Sequence, residues 1–173
     1  MKDNPLEAVG PPWILLADLG SDRFAVKANE FRAGGGQVIK VDGADARTPD
    51  ALFEQFAQAA KLPSYFGRNW PALDECMADL EWLPSTGYVV MLRNPGMLLD
   101  SSPLDRTTFV KLIRKVAVEW ARPVSVGGVW DRPSIPFHLV AGYSNNGGFR
   151  STKLGFAPRH GVAWLGSDAS IID

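Results

Sequence analysis

Residues 61–84 read KLPSYFGRNWPALDECMADLEWLP, and the division of this stretch into a turn and a helix decides the fold. Leu73, Cys76, Met77 and Leu80 recur at i, i+3, i+4 and i+7, the apolar stripe of a short helix that begins near Pro71 and stops before Pro84. Within 74–81 the charged residues are Asp74, Glu75, Asp79 and Glu81, with no base among them. At about 100° per residue, Pro71, Glu75 and Ala78 point away from the Leu73 stripe, and Asp74 and Asp79 flank them. The stripe is therefore assigned to the core and the acids to an outward ridge. Of the aromatic pair before the helix, Phe66 is expected inside and Tyr65 outside, because only Tyr65 carries a polar tip.

Outward from this stretch, strands and helices alternate. Upstream, Trp13 to Ala17 reads as a short strand, placed at a sheet edge because Pro11 and Pro12 adjoin it. Residues 21–33 form a short helix that Gly34, Gly35 and Gly36 end. Gln37 to Val41 is a second strand, with Asp42-Gly43 as the turn after it. Thr48, Pro49 and Asp50 open a helix: a hydroxyl for the cap, proline at the first position and an acid near the positive end of the dipole. Downstream, Tyr88 to Leu92 is a near-continuous apolar run suited to a buried central strand. Ser102-Pro103 opens a long helix with Phe109, Leu112, Ile113, Val116, Ala117 and Trp120 on one face, and Pro136 to Tyr143 reads as the last core strand. The order implies an α/β fold, a mostly parallel small sheet of three to four strands with helices packed on it.

Composition narrows the function. The 173 residues are 46% hydrophobic and 21% charged, with a formal net charge of -1, so no bulk basic field draws the chain onto nucleic acid or an anionic membrane. Cys76 is the only cysteine; it excludes an internal disulfide and a cysteine-based zinc site, fits a reducing compartment, and reads as a small buried hydrophobe. No apolar run is long enough for a spanning helix, and the N-terminus is a poor match to a secretory signal, so the cytoplasm is expected. His138 and His160 lack spaced metal-ligand partners, and no metal or cofactor is expected. Gly34 to Gly36 precede a strand and not a helix, which separates them from a phosphate-cradling loop. Arg106, Lys111, Arg114 and Lys115 make one side of the long helix basic and read as a solvated face. Gly127 to Pro136 reads as a surface loop with Trp130 either tucked back or open to a partner.

Residues 61–84 resemble the signature of the barstar family. The matching residues are Leu62-Pro63, Tyr65-Phe66, Gly67, Arg68, Asn69, Trp70, Ala72-Leu73 and Glu75-Cys76, without a gap. The flanking strands and helices fall in the family's order, so the resemblance covers about residues 37–143. It divides the chain into an N-terminal extension packed on the core (1–36), a barstar-like domain (37–143) and a C-terminal extension (144–173). The resemblance implies a small α/β inhibitor that plugs the active site of a secreted or toxin ribonuclease of the barnase type and protects the cell that makes it. It implies protein–protein binding and no enzymatic activity, no direct contact with nucleic acid, and no membrane. Tyr65, Gly67 and Asn69 are carried onto the inhibitory loop, Asp74 and Glu75 onto the inhibitory helix. Trp70 joins Tyr65 as an aromatic anchor, Asp79 flanks the ridge, and Glu119 keeps an acid of the long helix.

The chemistry is that of a decoy. A ribonuclease site holds phosphates with Arg, Lys and His, and carboxylates placed where phosphates would sit gain charge-assisted hydrogen bonds and fast association. Three positions depart from the family pattern. Pro71 stands where the inhibitor carries an aspartate, Glu75 replaces a shorter acid, and Lys115 stands where an interface glutamate is found. These departures keep open a second expectation, a non-inhibitory interaction module on the same fold. An acid-rich helix beside Tyr65 and Asn69 also raises an enzyme, but nothing at motif spacing converges on a nucleophile.

Overall fold

The computed structural model describes residues 4–143 and the strand 162–165. After a short 3-10 helix at Pro5–Glu7, the elements are β1 (Ile14–Asp18), α1 (Asp22–Ala33), β2 (Gln37–Asp42), α2 (Pro49–Ala59), α3 (Trp70–Asp79), β3 (Tyr88–Arg93), α4 (Pro103–Trp120), β4 (Phe137–Tyr143) and β5 (Val162–Leu165). The sheet order is β2-β3-β4-β1-β5, and every pairing is parallel. The alternation expected from the sequence is thus present through β4. The strand β5 lies in the weakly periodic tail and extends the sheet to five. It pairs with β1 in register Ile14↔Val162 to Ala17↔Leu165, so β1 is flanked on both sides and the edge placement suggested by its prolines is corrected.

Strand side chains alternate between two cores because successive residues point to opposite faces. Ile14, Leu16, Ile39, Val41, Tyr88, Val90, Leu92, Phe137, Leu139 and Ala141 pack in the larger core, with buried residues of α2, α3 and α4. Leu15, Ala17, Val89 and Val140 pack in the smaller core, with Leu6 and the Phe24, Ala28 and Phe31 stripe of α1. Burial on both faces explains why β1, β3 and β4 read as near-continuous apolar runs. The first 36 residues supply a strand of the sheet and the helix that covers its second face.

Helix ends follow local chemistry. Ser21 and Thr48 cap α1 and α2 through their hydroxyls, which accept from Phe24 N and Ala51 N. Pro49 and Pro103 stand at the first turn of α2 and α4, where a missing N–H costs nothing. Ser102 makes no side-chain cap bond at α4. Gly43 is needed where the chain turns out of β2, because a Cβ there would strike the Asn94 carbonyl.

His138 is 1% exposed, and its ring nitrogens lie 3.1 Å from Pro12 O and 2.9 Å from Ala8 O. It holds the segment before β1 against β4. Burial pushes the imidazole below its ordinary value, with the two carbonyls pulling the other way. His160 and the Asn145–Gly148 break lie outside the described residues. No described helix is long and apolar enough to cross a membrane.

Candidate functional site

The turn and α3 are built from short-range bonds. The carboxamide oxygen of Asn69 accepts from Ala72 N at 2.9 Å, and its amide donates to Gly67 O at 3.3 Å. Asn69 is thus the N-cap of α3, followed by proline in the first turn. Arg68 adopts the left-handed conformation just before the cap, with φ 49. At the other end Leu80, 1% exposed, also takes the left-handed conformation and donates its N–H to Cys76 O, which stops the helix. The core stripe is as expected: Leu73, Cys76, Met77 and Leu80 are all buried.

Tyr65 and Phe66 divide as their chemistry requires. Phe66 is 5% exposed and packs edge-on to Phe53, whereas Tyr65 is 72% exposed. Trp70 does not stand free as an anchor. Half-buried, it packs edge-on to Phe53 at 5.0 Å between ring centroids, and its indole N–H donates to Asp105 at 2.9 Å. It fastens the start of α3 to α2 and α4.

The acids separate into two regions. On the first, Glu75 and Asp79 are exposed, one helical turn apart, and neither makes an ion pair or hydrogen bond with a described residue. They line a cleft of about 250 Å³ together with Tyr65, Phe66, Ala72, Cys76 and Trp82. The field there is negative. The Cys76 thiol is pushed up by burial and then by Glu75 and Asp79. The Tyr65 hydroxyl is also pushed up, first by desolvation and then by Cys76, Asp79 and Glu81. Trp82, which the sequence reading did not single out, forms part of this cleft and is held by its indole N–H on Ala60 O at 3.1 Å.

The second region lies where α3 meets α4. Lys115 hydrogen-bonds Asp74 and sits 3.6 Å from Glu119, so one ammonium serves two of the expected site acids. Asp74, foremost through its hydrogen bond, and then Glu119 raise the Lys115 pKa above its ordinary value. The other Asp74 oxygen is buried with no hydrogen-bond partner among the described residues. Lys115 is exposed yet not a stray base, since it bridges Asp74 of α3 and Glu119 of α4. Arg106 is likewise used internally, donating to Leu98 O at 2.7 Å and to Gly96 O at 3.3 Å, so the basic side of α4 is not simply solvated.

The site residues expected from the sequence are thus dispersed in role. Tyr65, Glu75 and Asp79 meet around the cleft, Gly67 and Asn69 shape the turn, Trp70 is structural, and Asp74 and Glu119 meet at Lys115. The cap could have been read from Asn69 followed within two residues by proline. The Asp74–Lys115 pair had no local signal, since 41 positions separate its members. No group of three or more metal-ligating side chains occurs among the described residues.

Comparison with curated proteins finds no match to the chain. The family model for Barstar (barnase inhibitor) matches residues 36–140. That span runs from the glycines before β2 into β4 and includes the whole of the turn, α3 and α4. With the sheet, the capped α3 and the acidic cleft in that order, the chain belongs to the barstar family, a family of barnase inhibitors and not of enzymes.

Proposed function

We propose that this protein inhibits a secreted or toxin ribonuclease of the barnase type by covering its active site with the turn and outward face of α3. The observation that carries the reading is the exposed pair Glu75 and Asp79, which no cation among the described residues pairs, beside the exposed Tyr65. Exposed carboxylates such as these can accept hydrogen bonds from the Arg, Lys and His of a phosphate-binding site. Tyr65 adds an amphipathic ring at the rim, and Gly67, Asn69 and Trp70 hold the turn that presents it. Asp74 and Glu119 contribute to the field in reduced measure, because Lys115 offsets them. Acting on a ribonuclease that its own cell produces, the protein would work in the cytoplasm as an antidote.

The test is a titration of purified barnase-type ribonucleases with the protein, reading residual RNA cleavage, repeated with Glu75→Ala. Stoichiometric inhibition weakened by the substitution supports the reading. Full cleavage at protein excess across nucleases encoded beside this chain overturns it. A second reading, a non-inhibitory binding module, is favoured by the Lys115 pairing and by Pro71 exposed on the outward face. It predicts that Lys115→Glu restores no inhibition.

A further inference from the structure

Residues 121–135 leave α4 and return to β4 as a built loop with an apolar tip. Val124 and Arg132 form an antiparallel bridge, with N–H to O distances of 2.9 and 3.0 Å. The Asp131 carboxylate accepts from Val126 N at 2.7 Å and from Gly127 N at 3.1 Å, and Asp131 N donates to Gly128 O. These bonds close the loop upon itself. Arg132 stacks over Trp120 at 4.1 Å and donates to the carbonyls of Glu119 at 3.2 Å and Arg122 at 3.1 Å, which anchors the base to the end of α4. Yet the apolar side chains of the tip are mostly exposed: Val126 is 75% exposed, Val129 92% and Trp130 68%.

An indole and two valines held in water by a closed hydrogen-bond frame are not accounted for by folding. Each would gain by burial, and a fixed frame lowers the ordering cost that burial against a partner would otherwise carry. Trp is also a residue enriched where proteins meet. The position of the base supplies the occupant. Arg132 donates to the backbone carbonyl of Glu119, whose carboxylate lies 3.6 Å from Lys115, the partner of Asp74 on α3, while Trp120 donates to Met77 O of α3 at 2.9 Å. The loop thus springs from the end of α4 that is bonded to α3, the helix that carries the acidic face.

We infer that Val126, Val129 and Trp130 form an apolar arm that seats on a nonpolar patch of the same nuclease, beside its basic cleft. This inference rests on the inhibitor reading above. The acidic face supplies charge and the arm supplies buried apolar area, the division found between rim and core of protein interfaces.

The experiment measures inhibition of a barnase-type ribonuclease by the full chain, by Glu75→Ala, and by the double variant Val129→Ser with Trp130→Ala. The double variant changes only exposed side chains, so an unchanged melting temperature controls for folding. The arm predicts a loss of roughly tenfold or more in affinity for the double variant, consistent with an indole and a valine left unburied. A weakened Glu75→Ala beside an unaffected double variant overturns the arm and leaves the inhibitor reading standing. No inhibition by the full chain overturns both. Sedimentation of the free protein completes the test: a dimer that the double variant converts to monomer would assign the tip to a second copy of the chain and overturn the nuclease assignment. Slow amide exchange at Val126 and Gly127 in the free protein is expected from the closed frame, and exchange at unprotected rates would remove the premise.

Discussion

The two acidic regions of α3 begin at neighbouring residues, Asp74 and Glu75, about 100° apart around the helix, and have opposite fates. Asp74 is tied to Lys115 of α4 and half-buried, whereas Glu75 and Asp79 face a cleft without any cation at ion-pair distance among the described residues. In the sequence all of them are acids off an apolar stripe. The difference teaches that a carboxylate becomes available to a partner only when the rest of the fold has not already claimed it. The first region joins helices and the second is free to receive charge.

The largest effect should come from removing the free region. Glu75→Ala is expected to weaken inhibition by roughly 10- to 150-fold, the equivalent of about 1.5–3 kcal/mol for a hydrogen bond to a charged group, measured as the inhibition constant in an RNA-cleavage titration. Asp74→Ala should change it far less, and equal losses at the two positions would erase the comparison. Next comes the frame that presents the free region. Asn69→Ala removes the cap of α3 and should cost about 1 kcal/mol, seen as a fall of about 2–4 °C in melting temperature. Asn69→Asp should retain most of it, since a carboxylate caps equally well.

Smaller effects sharpen the contrast. Lys115→Met releases Asp74 and Glu119 from their shared cation, and the association rate with a basic nuclease should rise several-fold at low salt and converge with the parent at high salt. A rate that stays constant would mean that these acids lie outside the encounter surface.

The smallest effect concerns the opposite face of the sheet, where His138 shares its side with Val140 and not with the helices of the site. Burial holds its pKa below the ordinary 6.5. Between the two values the unfolded chain binds more proton than the folded one, so this contribution to stability is complete above about 6.5 and is lost progressively as the pH falls below it. Denaturation midpoints from pH 8 to 5 should decline, and His138→Gln should flatten that decline. A midpoint that rises on acidification would reverse the assignment.

Much of the fold could be read because its signals are local. A run of four residues at helical spacing puts Leu73, Cys76, Met77 and Leu80 inside, and Thr48-Pro49-Asp50 opens α2, since capping and periodicity act within one or two turns. Tyr65 and Phe66 could be told apart by one hydroxyl. The site was less legible. Trp70 looks like an anchor until Asp105, 35 residues on, is found holding its N–H. Trp130 could be read two ways, and the Asp131 frame leaves it in water.

By itself the sequence determined the family signature, the order of elements through β4, the helix ends and the inward stripe of α3, because each depends on neighbours along the chain. Only the tertiary structure decided that β1 is flanked by β4 and β5, that Lys115, one turn from Glu119 on α4, also takes up Asp74 of α3, and that Glu75 and Asp79 find no cation among the described residues. The physical reason is range. Propensity and periodicity are set by adjacent residues, whereas the charge a surface retains is what remains after distant side chains have paired.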